Sequence, residues 1–379
     1  RKMASEEGRG GASSSNGRGD DGGMGLPSAP VARLVGHDGP IQMVRFTADG
    51  KFCLTAGHDR TVRLWNPTRL DPAHADDNAG AGGGAGGGAS NPVDSAPRAL
   101  PIQSYPDGHT HPVSAVGVDA SSATLLSASD RTLVITDLIT RRALRRLHGH
   151  AGRINSVCCG GGGGEGGADV LFSASYDGTV RAWDGRSRSR DPIQVLSDAK
   201  DSVTAFSVAG SGGAAEVVAA SVDGSVRTYD LRMGRLTKDD LGDPVTGAAL
   251  TGDDRCLAAS CLDGTVRLLE RDTGDILQTY SGGHKAGNYM LDCDVAADDA
   301  CVTSGSEDGL VVLYDLVGGK VKRRLEGHDR AVCSVAARPR QGREGGGRRD
   351  HSFVDVIVSA GYDGRAVVWG NPSDTSLWE

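Results

Sequence analysis

A phrase of eight residues recurs seven times along this 379-residue chain, and each copy begins with an aspartate. The copies start at Asp59, Asp130, Asp177, Asp223, Asp263, Asp308 and Asp363. Small or polar residues follow each aspartate, and apolar residues then alternate with polar ones. Asp-Gly favours a tight turn, and an alternation with a period of two predicts a strand with two opposed faces. The repeat therefore predicts an all-β chain built from like units.

The intervals between successive aspartates are 71, 47, 46, 40, 45 and 55 residues. Glycine-rich inserts near residues 71–98, 160–167 and 338–351 lengthen three of them. We expect each insert to lie between the third and fourth, or the first and second, strands of a unit. All three then emerge from the rim opposite the Asp turns, where a flexible loop costs little to close. None of the tracts ends in Gly-Lys-Ser or Gly-Lys-Thr, so none predicts a phosphate-binding loop.

A Gly-His pair precedes five of the seven copies, at His37, His109, His150, His284 and His328. With the Trp-Asp phrase, these pairs resemble the WD-repeat family, which repeats at about 40 to 45 residues. The resemblance implies a seven-bladed WD40 β-propeller over residues 31–370, a disordered tail over residues 1–30 and a C-terminal tail over residues 371–379. Residues 31–35 precede the first Gly-His pair and resemble a fourth strand that belongs to no complete unit. We expect this strand to complete the last blade, because joined chain ends remove an open sheet edge.

Three copies carry a histidine, a serine or threonine, an aspartate and a tryptophan. The sets are His37, Thr55, Asp59 and Trp65; His150, Ser173, Asp177 and Trp183; and His328, Ser359, Asp363 and Trp369. Such residues can form a hydrolase triad, but three sets in one chain favour a structural role. In WD-repeat relatives the set is a buried hydrogen-bond network, since buried polar groups must be paired. The copies at Asp223 and Asp263 lack both the histidine and the serine, as expected of one structural unit.

Composition narrows the classes of partner. The chain has 41 Lys and Arg against 49 Asp and Glu, a net charge of -8, so we expect contact with nucleic acid only indirectly, through a complex. No apolar run reaches the roughly 18 residues that span a bilayer, so we expect no membrane association. The eight cysteines include no Cys-x-x-Cys pair, which favours buried free thiols. We expect no catalytic residues, no metal, no cofactor and no small-molecule substrate.

Two short patterns leave alternatives open. Arginine-rich stretches near residues 141–146, 186–190 and 320–324 are typical of a site for an acidic or RNA partner, but solvated outer strands and turns explain them better in an acidic chain. The segment Trp183-Asp184-Gly185-Arg186 resembles the WDxR box by which some propellers dock onto the adaptor of a cullin-type ubiquitin ligase. A substrate receptor of such a ligase is therefore an alternative function, and an ordinary turn is the simpler explanation.

Several longer segments resemble one family. They are residues 229–236, 267–274 and 289–293 and the tripeptide Trp65-Asn66-Pro67. They resemble the mitogen-activated protein kinase organizer 1 family, and the likeness runs through all seven copies except for the glycine tracts and the polar N-terminus. The resemblance implies a non-enzymatic scaffold of the cytoplasm and nucleus. It also implies two settings, the assembly of a MAP kinase cascade and the spliceosome, and so kinase-cascade members and splicing factors as partners.

Residues that precede the Asp turns or follow the Gly-His pairs should share one rim of the ring. Exposed aromatic and arginine side chains are typical anchors of protein interfaces. The candidate partner-binding residues on this rim are His58, Arg153, Asn155, Tyr176, Tyr289, Glu307, Arg330 and Tyr362. The competing explanation is that these residues are scattered over the surface without a common role.

Overall fold

Seven sheets of four antiparallel strands make up the part of the chain that the structure, a computed structural model, describes. The described residues are 26–72, 91–106, 108–119, 121–160, 170–209, 216–296, 299–339 and 356–372. They form 28 strands, numbered here in chain order, and no α-helix. The first strand, β1 (Ala29–Leu34), is set apart from the sheet that follows it in sequence.

The next four sheets each use four consecutive strands. Blade 1 contains β2 (Ile41–Phe46), β3 (Cys53–Gly57), β4 (Val62–Leu70) and β5 (Ala99–Tyr105). Blade 2 contains β6 (Val113–Val118), β7 (Thr124–Ser129), β8 (Thr132–Asp137) and β9 (Ala143–His148). Blade 3 contains β10 (Ile154–Cys159), β11 (Val170–Ser175), β12 (Val180–Asp184) and β13 (Gln194–Leu196). Blade 4 contains β14 (Val203–Ala209), β15 (Glu216–Ser221), β16 (Ser225–Asp230) and β17 (Arg235–Asp240).

The last three sheets complete the ring. Blade 5 contains β18 (Val245–Leu250), β19 (Cys256–Cys261), β20 (Val266–Glu270) and β21 (Ile276–Tyr280). Blade 6 contains β22 (Cys293–Ala296), β23 (Cys301–Gly305), β24 (Leu310–Asp315) and β25 (Val321–Glu326). Blade 7 contains β26 (Val332–Ala337), β27 (Ile357–Gly361), β28 (Ala366–Gly370) and β1.

Each Asp turn joins the second and third strands of its blade. In blade 3, Thr179 donates its backbone N–H to Asp177 Oδ1 over 3.0 Å, and Gly178 takes a positive φ of 76° that suits glycine. The strands on either side are buried because the neighbouring blades cover both faces; β3 and β27, for example, are buried along their whole length. The repeated phrase therefore encodes the turn and the third strand of every blade.

The first strands of the blades form a ring around a central channel. Each contacts the first strand of the next blade, and β26 contacts β2, so that the ring closes. Six of these strands carry a β-bulge that adds one residue: Gln42, Ser114, Asn155, Thr204, Thr246 and Cys333. A bulge turns a side chain out of the normal alternation, and all six side chains line the channel.

Five of the bulged side chains donate a hydrogen bond to a backbone carbonyl of the next blade. The donor and acceptor pairs are Ser114 Oγ to Ile154 O at 2.6 Å, Asn155 Nδ2 to Val203 O at 2.8 Å, Thr204 Oγ1 to Val245 O at 2.8 Å, Thr246 Oγ1 to Leu291 O at 2.9 Å, and Cys333 Sγ to Ile41 O at 3.0 Å. We call this set the bulge belt. It ties the blades together at the channel wall, where a buried donor would otherwise lack a partner.

Strand β1 closes the ring by pairing antiparallel with β28, from Ala29 opposite Gly370 to Leu34 opposite Ala366. The predicted seven-bladed propeller with a closing N-terminal strand is confirmed. The strand begins at Ala29 and not at residue 31, so the predicted tail over residues 1–30 overlaps it by two residues. Pro30 lies at a register shift on the outermost strand, where a missing N–H is tolerated.

The predicted inserts are only partly described. Residues 1–25, 73–90, 161–169, 340–355 and 373–379 lie outside the described residues, and most of the predicted inserts and tails fall there. The breaks occur between β4 and β5, β10 and β11, and β26 and β27. Residues 91–98, predicted as part of the first insert, instead pack against blade 7. Val93 is buried beside Trp369, and Asn91 Nδ2 donates to Gly327 O over 2.8 Å, because this stretch has side chains to bury where the glycine tract has none.

Candidate functional site

The four residues of each predicted set lie in one hydrogen-bonded line. In blade 3, Trp183 Nε1 donates to Ser173 Oγ over 2.8 Å, and Ser173 Oγ lies 2.8 Å from His150 Nε2. His150 Nδ1 in turn lies 3.0 Å from Asp177 Oδ2. The same line runs through His37, Thr55, Asp59 and Trp65 in blade 1 and through His328, Ser359, Asp363 and Trp369 in blade 7.

These lines are satisfied by a neutral histidine with its proton on Nδ1. Ser173 then receives the tryptophan N–H and donates its own proton to His150 Nε2, while Nδ1–H donates to Asp177. Burial lowers the pKa of His150 and thereby favours the neutral ring, although Asp177 opposes this effect. Ser173 is 0% exposed, so its hydroxyl offers no approach to a substrate. The geometry assigns these sets to bracing the blades.

The remaining blades use other partners at the same place, and the sequence patterns missed them. In blades 4 and 5, Arg227 and Arg267 pair with the turn aspartates Asp223 and Asp263 at 2.7 and 2.6 Å. In blade 2, His109 contacts the hydroxyls of Ser127 and Ser129 at 2.7 and 2.6 Å. In blade 6, His284 Nδ1 lies 2.8 Å from the hydroxyl of Tyr314. The position of the arginine four residues after the aspartate was the available signal for two of these contacts.

The mouth of the channel gathers most of the predicted rim residues. A cavity of about 780 Å³ runs along the axis, and its lining includes Arg153, Asn155, Tyr176, Tyr289 and Tyr362. A shallower pocket of about 410 Å³ beside it is lined by Tyr289, Glu307, Arg330 and Tyr362, together with Pro40, Asp329 and Ala331. Seven of the eight predicted residues therefore line two adjoining cavities. His58 lines neither, but it is hydrogen-bonded to Gln42 at the same mouth.

Two groups of contacts organise this mouth. The rings of Tyr289 and Tyr362 lie 5.1 Å apart at 44°, and the two tyrosines belong to both cavities. Across the mouth, Gln42 donates its amide to His58 Nε2 over 2.7 Å and accepts from Arg153 Nη2 over 3.3 Å. Because Tyr176 and Tyr289 are 65% and 43% exposed, the mouth presents aromatic surface that a partner can bury.

Glu307 fixes the loop that carries one of these tyrosines. Its carboxylate accepts the backbone N–H of Tyr289 over 2.9 Å and the side-chain amide of Asn288 over 3.1 Å. Burial alone would raise the pKa of Glu307, but these hydrogen bonds outweigh it and lower the pKa. Sequence reasoning missed the neighbours Gln42, Asn288 and Met290, which also line the cavity. Only the length of the loop before β22 could have indicated the last two.

Charged groups lie deeper in the channel, between strands far apart in sequence. Arg45 Nη1 on β2 lies 2.7 Å from Asp292 Oδ2, and Ser334 Oγ on β26 donates to the same oxygen over 3.2 Å. Asp294 accepts the backbone N–H of Ala337 over 2.8 Å. Burial raises the pKa of Asp294 to about 6, against the lowering effects of Ala337 and Arg45. These contacts link blades 1, 6 and 7 inside the channel.

The described residues show neither a metal site nor a disulfide. Among them, no cluster of three or more His, Cys, Asp or Glu is arranged to hold a metal ion. All eight cysteines have free thiols, and five of them are buried. The same residues contain no helix that is long and apolar enough to cross a membrane.

The WDxR-like segment and the middle arginine stretch form one turn between β12 and β13. Asp184 Oδ1 accepts the backbone N–H groups of Arg186 and Ser187 over 2.8 and 2.9 Å, as in an ordinary Asx turn. The side chain of Arg186 is exposed. The turn lies on the rim opposite the channel mouth described above, because it joins the third and fourth strands.

The chain matches a known repeat family and resembles a solved propeller structure. The WD domain, G-beta repeat family matches residues 28–66, 100–137, 141–184, 274–315 and 319–370, which together exceed half of the chain. The WD40 beta propeller domain of Doa1, a crystal structure, is similar with a TM-score of 0.67 over 93% of this chain and 99% of that chain. Its 18% sequence identity shows a common fold.

Two curated relatives carry the likeness further. WD repeat domain-containing protein 83 of Homo sapiens is 36% identical over 316 residues, covering 83% of this chain and 88% of the relative. The WD repeat domain-containing protein 83 homolog of Dictyostelium discoideum is 29% identical over 331 residues, covering 81% and 91%. The sequence resemblance named this family after mitogen-activated protein kinase organizer 1, and the relatives correct that name to WD repeat domain-containing protein 83. The chain belongs to the WD-repeat family and, within it, to the family of WD repeat domain-containing protein 83.

Proposed function

We propose that this propeller is a scaffold that grips a segment of a partner protein over the channel mouth. The observation that carries the proposal is the tyrosine pair Tyr289 and Tyr362, which is shared by two adjoining cavities; Glu307 holds the backbone of Tyr289 in place. Aromatic side chains in such a position are typical binding hot spots, since they bury a large area at a small entropic cost. Arg153 and Arg330 add charge at the edge of the mouth.

The rigidity of the mouth supports this role. The bulge belt fixes the channel wall, and Gln42, the one bulged residue outside the belt, instead joins His58 and Arg153. A mouth that is already ordered loses little conformational entropy on binding. The lines through His37, His150 and His328 brace the blades that carry the mouth, and their buried hydroxyls do not face it.

The finer assignment concerns the partners. We propose that they belong to pre-mRNA splicing complexes, to a MAP kinase cascade, or to both, and that the protein works in the cytoplasm and the nucleus. The support is the resemblance of segments such as residues 229–236 to scaffolds of that kind. Nucleic acid is then met only through the complex, in keeping with the net charge of -8.

Affinity purification of the whole chain followed by mass spectrometry tests this proposal. The test variant is Tyr289→Ala with Tyr362→Ala, and the control is Met233→Ala, which removes an exposed apolar side chain from the opposite rim. We expect splicing or kinase-cascade proteins with the unmodified chain and the control, and a loss of about tenfold or more with the double variant. An unchanged set of partners in the double variant contradicts the role of the mouth.

A substrate receptor of a cullin-type ubiquitin ligase remains the second candidate, since Arg186 is exposed on its turn. It requires cullin components among the purified proteins and their loss in Arg186→Ala. Their absence from the unmodified sample excludes this candidate.

A further inference from the structure

A second surface lies on the outer wall of the ring, where blades 2 and 3 meet. We propose that this wall binds an acidic protein segment whose carboxylates alternate with aliphatic side chains. We call it the blade 2–3 wall and define it by six residues: Arg142, Arg145, Arg188, Arg190, Ile193 and Val195. It is separate from the channel mouth, so the proposal stands independently of the function proposed above.

The fold brings together two arginine stretches that are separate in sequence. Arg145 on β9 donates from Nη1 to the carbonyl oxygens of Asp184 and Gly185 over 2.8 and 3.2 Å, and from Nη2 to that of Ser189. The turn between β12 and β13 is therefore held against the outermost strand of blade 2. Three backbone acceptors on one guanidinium fix the position of the turn, and with it the arginines that the turn carries.

The charge of the wall is opposite to that of the molecule. Residues 137–148 and 184–191 contain seven arginines and three aspartates, whereas the chain as a whole has a net charge of -8. Arg142, Arg188 and Arg190 are exposed, and none of them makes an ion pair within the described part of the chain. The equivalent turn and strand of blade 4, residues 230–240, hold three basic and three acidic residues. The excess of positive charge is thus local, and it attracts an acidic ligand.

Exposed aliphatic side chains follow the arginines of this turn, at the start of β13 (Gln194–Leu196). Ile193 is 60% exposed and Val195 is 42% exposed. Side chains alternate along a strand, so Val195 leaves β13 on the face opposite to the buried Leu196. Ile193, two residues before it, follows the same alternation, and its backbone N–H is bonded to Ala182 O over 2.8 Å. Exposed aliphatic groups favour a partner that has aliphatic groups of its own to bury.

The same composition disfavours single-stranded nucleic acid as the occupant. Proteins that bind such strands place aromatic rings under the bases, in addition to positive charge. The two segments that form the wall, residues 137–148 and 184–195, contain no Phe, Tyr or Trp. A protein segment in which Asp or Glu alternates with Leu matches both features of the wall, its guanidinium groups and its exposed aliphatic groups.

Fluorescence anisotropy with the purified full chain tests the proposal. The probe is a fluorescein-labelled peptide of alternating aspartate and leucine, and labelled polyuridylate is the competing probe. The test variant is Arg188→Glu with Arg190→Glu. The matched control is Arg232→Glu with Arg235→Glu, which makes the same charge change at exposed positions of the equivalent turn and strand in blade 4.

We expect the peptide to bind the unmodified chain, about tenfold more weakly to the test variant, and equally well to the control within about twofold. Ile193→Gln should weaken binding as well, which separates the aliphatic contribution from charge alone. The change Tyr289→Ala with Tyr362→Ala should leave the peptide affinity unchanged, so a failure of the mouth proposal is distinguishable from a failure of this one. The proposal is overturned if the peptide does not bind, if both charge variants weaken it equally, or if polyuridylate binds more tightly.

Discussion

Replacement of Asp177 by alanine tests the bracing role of the buried lines most directly. The carboxylate of Asp177 accepts His150 Nδ1 over 3.0 Å, the backbone N–H of Ala151 over 2.8 Å, and both the N–H and the hydroxyl of Thr179, over 3.0 and 2.6 Å. Alanine leaves all four donors without this acceptor. We expect Asp177→Ala to lower the free energy of unfolding without changing the fold.

Two independent arguments give the size of the expected loss in free energy of unfolding. A buried donor left unsatisfied costs about 1 to 3 kcal/mol. Burial alone would raise the pKa of Asp177, but the hydrogen bonds from Thr179, Ala151 and His150 outweigh it and lower the pKa from 3.8 to about 2. A shift of this size corresponds to roughly 2 kcal/mol, and screening by water at the rim reduces it. We therefore expect a loss of about 1 to 2 kcal/mol at pH 7.

The lowered pKa also determines how the stabilising contribution of Asp177 changes with pH. The pKa of Asp177 is lower in the folded chain, so its contribution is fully present above pH 3.8 and is lost as the pH falls towards about 2. The difference between the unmodified chain and Asp177→Ala should therefore be constant from pH 5 to 7 and shrink below pH 4. Urea unfolding followed by tryptophan fluorescence measures it, since Trp183 is buried in the same line.

Asp308→Ala is the matched control. Asp308 occupies the same turn position in blade 6, but the histidine of that blade bonds to Tyr314 instead. We expect its loss of stability to be less than half that of Asp177→Ala. Equal losses in the two variants, or a difference that already changes between pH 7 and 5, would refute the bracing argument.

Two further predictions concern the ring closure and the channel. Ala32→Glu places a carboxylate in the fully buried contact between β1 and β28, so we expect a loss of about 3 kcal/mol or more in urea unfolding, whereas Val35→Glu, at a position 44% exposed, should cost less than 1 kcal/mol. A small effect of Ala32→Glu would contradict the closure. Asp294, with its pKa raised from 3.8 to about 6, makes the folded state less stable as the pH rises through that window. The free energy of unfolding of Asp294→Asn should therefore rise by about 1 kcal/mol relative to that of the unmodified chain as the pH increases from 5 to 7.5. A difference that does not change over this range would refute the raised pKa.

The sequence was sufficient to predict the architecture because the information that specifies it is local. Each turn aspartate sits next to the strand that it starts, so the copies from Asp59 to Asp363 give the number of blades directly. The closing strand was predictable because the last copy lacks a fourth strand, and residues 31–35 form a strand-like segment that has no sheet of its own. Its start at Ala29 was not, because Pro30 reads as a strand breaker unless the strand is known to be outermost.

The organisation of the channel could not be predicted, because its contacts join residues far apart in sequence. Arg45 and Asp292 are 247 positions apart, and neither belongs to the repeated phrase. The six bulged residues include five different amino-acid types, and the bulges arise from strand register, which no composition pattern reports. The predicted rim residues lie at corresponding loop positions of several blades, and it is the circular arrangement that brings Tyr289 close to Tyr362.

The pairing of β1 with β28 also governs when this molecule becomes complete. Strand β1 is synthesised long before its partner, so until β28 leaves the ribosome it has no sheet to join and its apolar face stays uncovered. Blade 7 is consequently the last to form, and Tyr362, on its Asp turn, comes into position opposite Tyr289 only then. A nascent chain therefore lacks the complete channel mouth, and partner binding has to wait until β28 has been synthesised and has paired with β1.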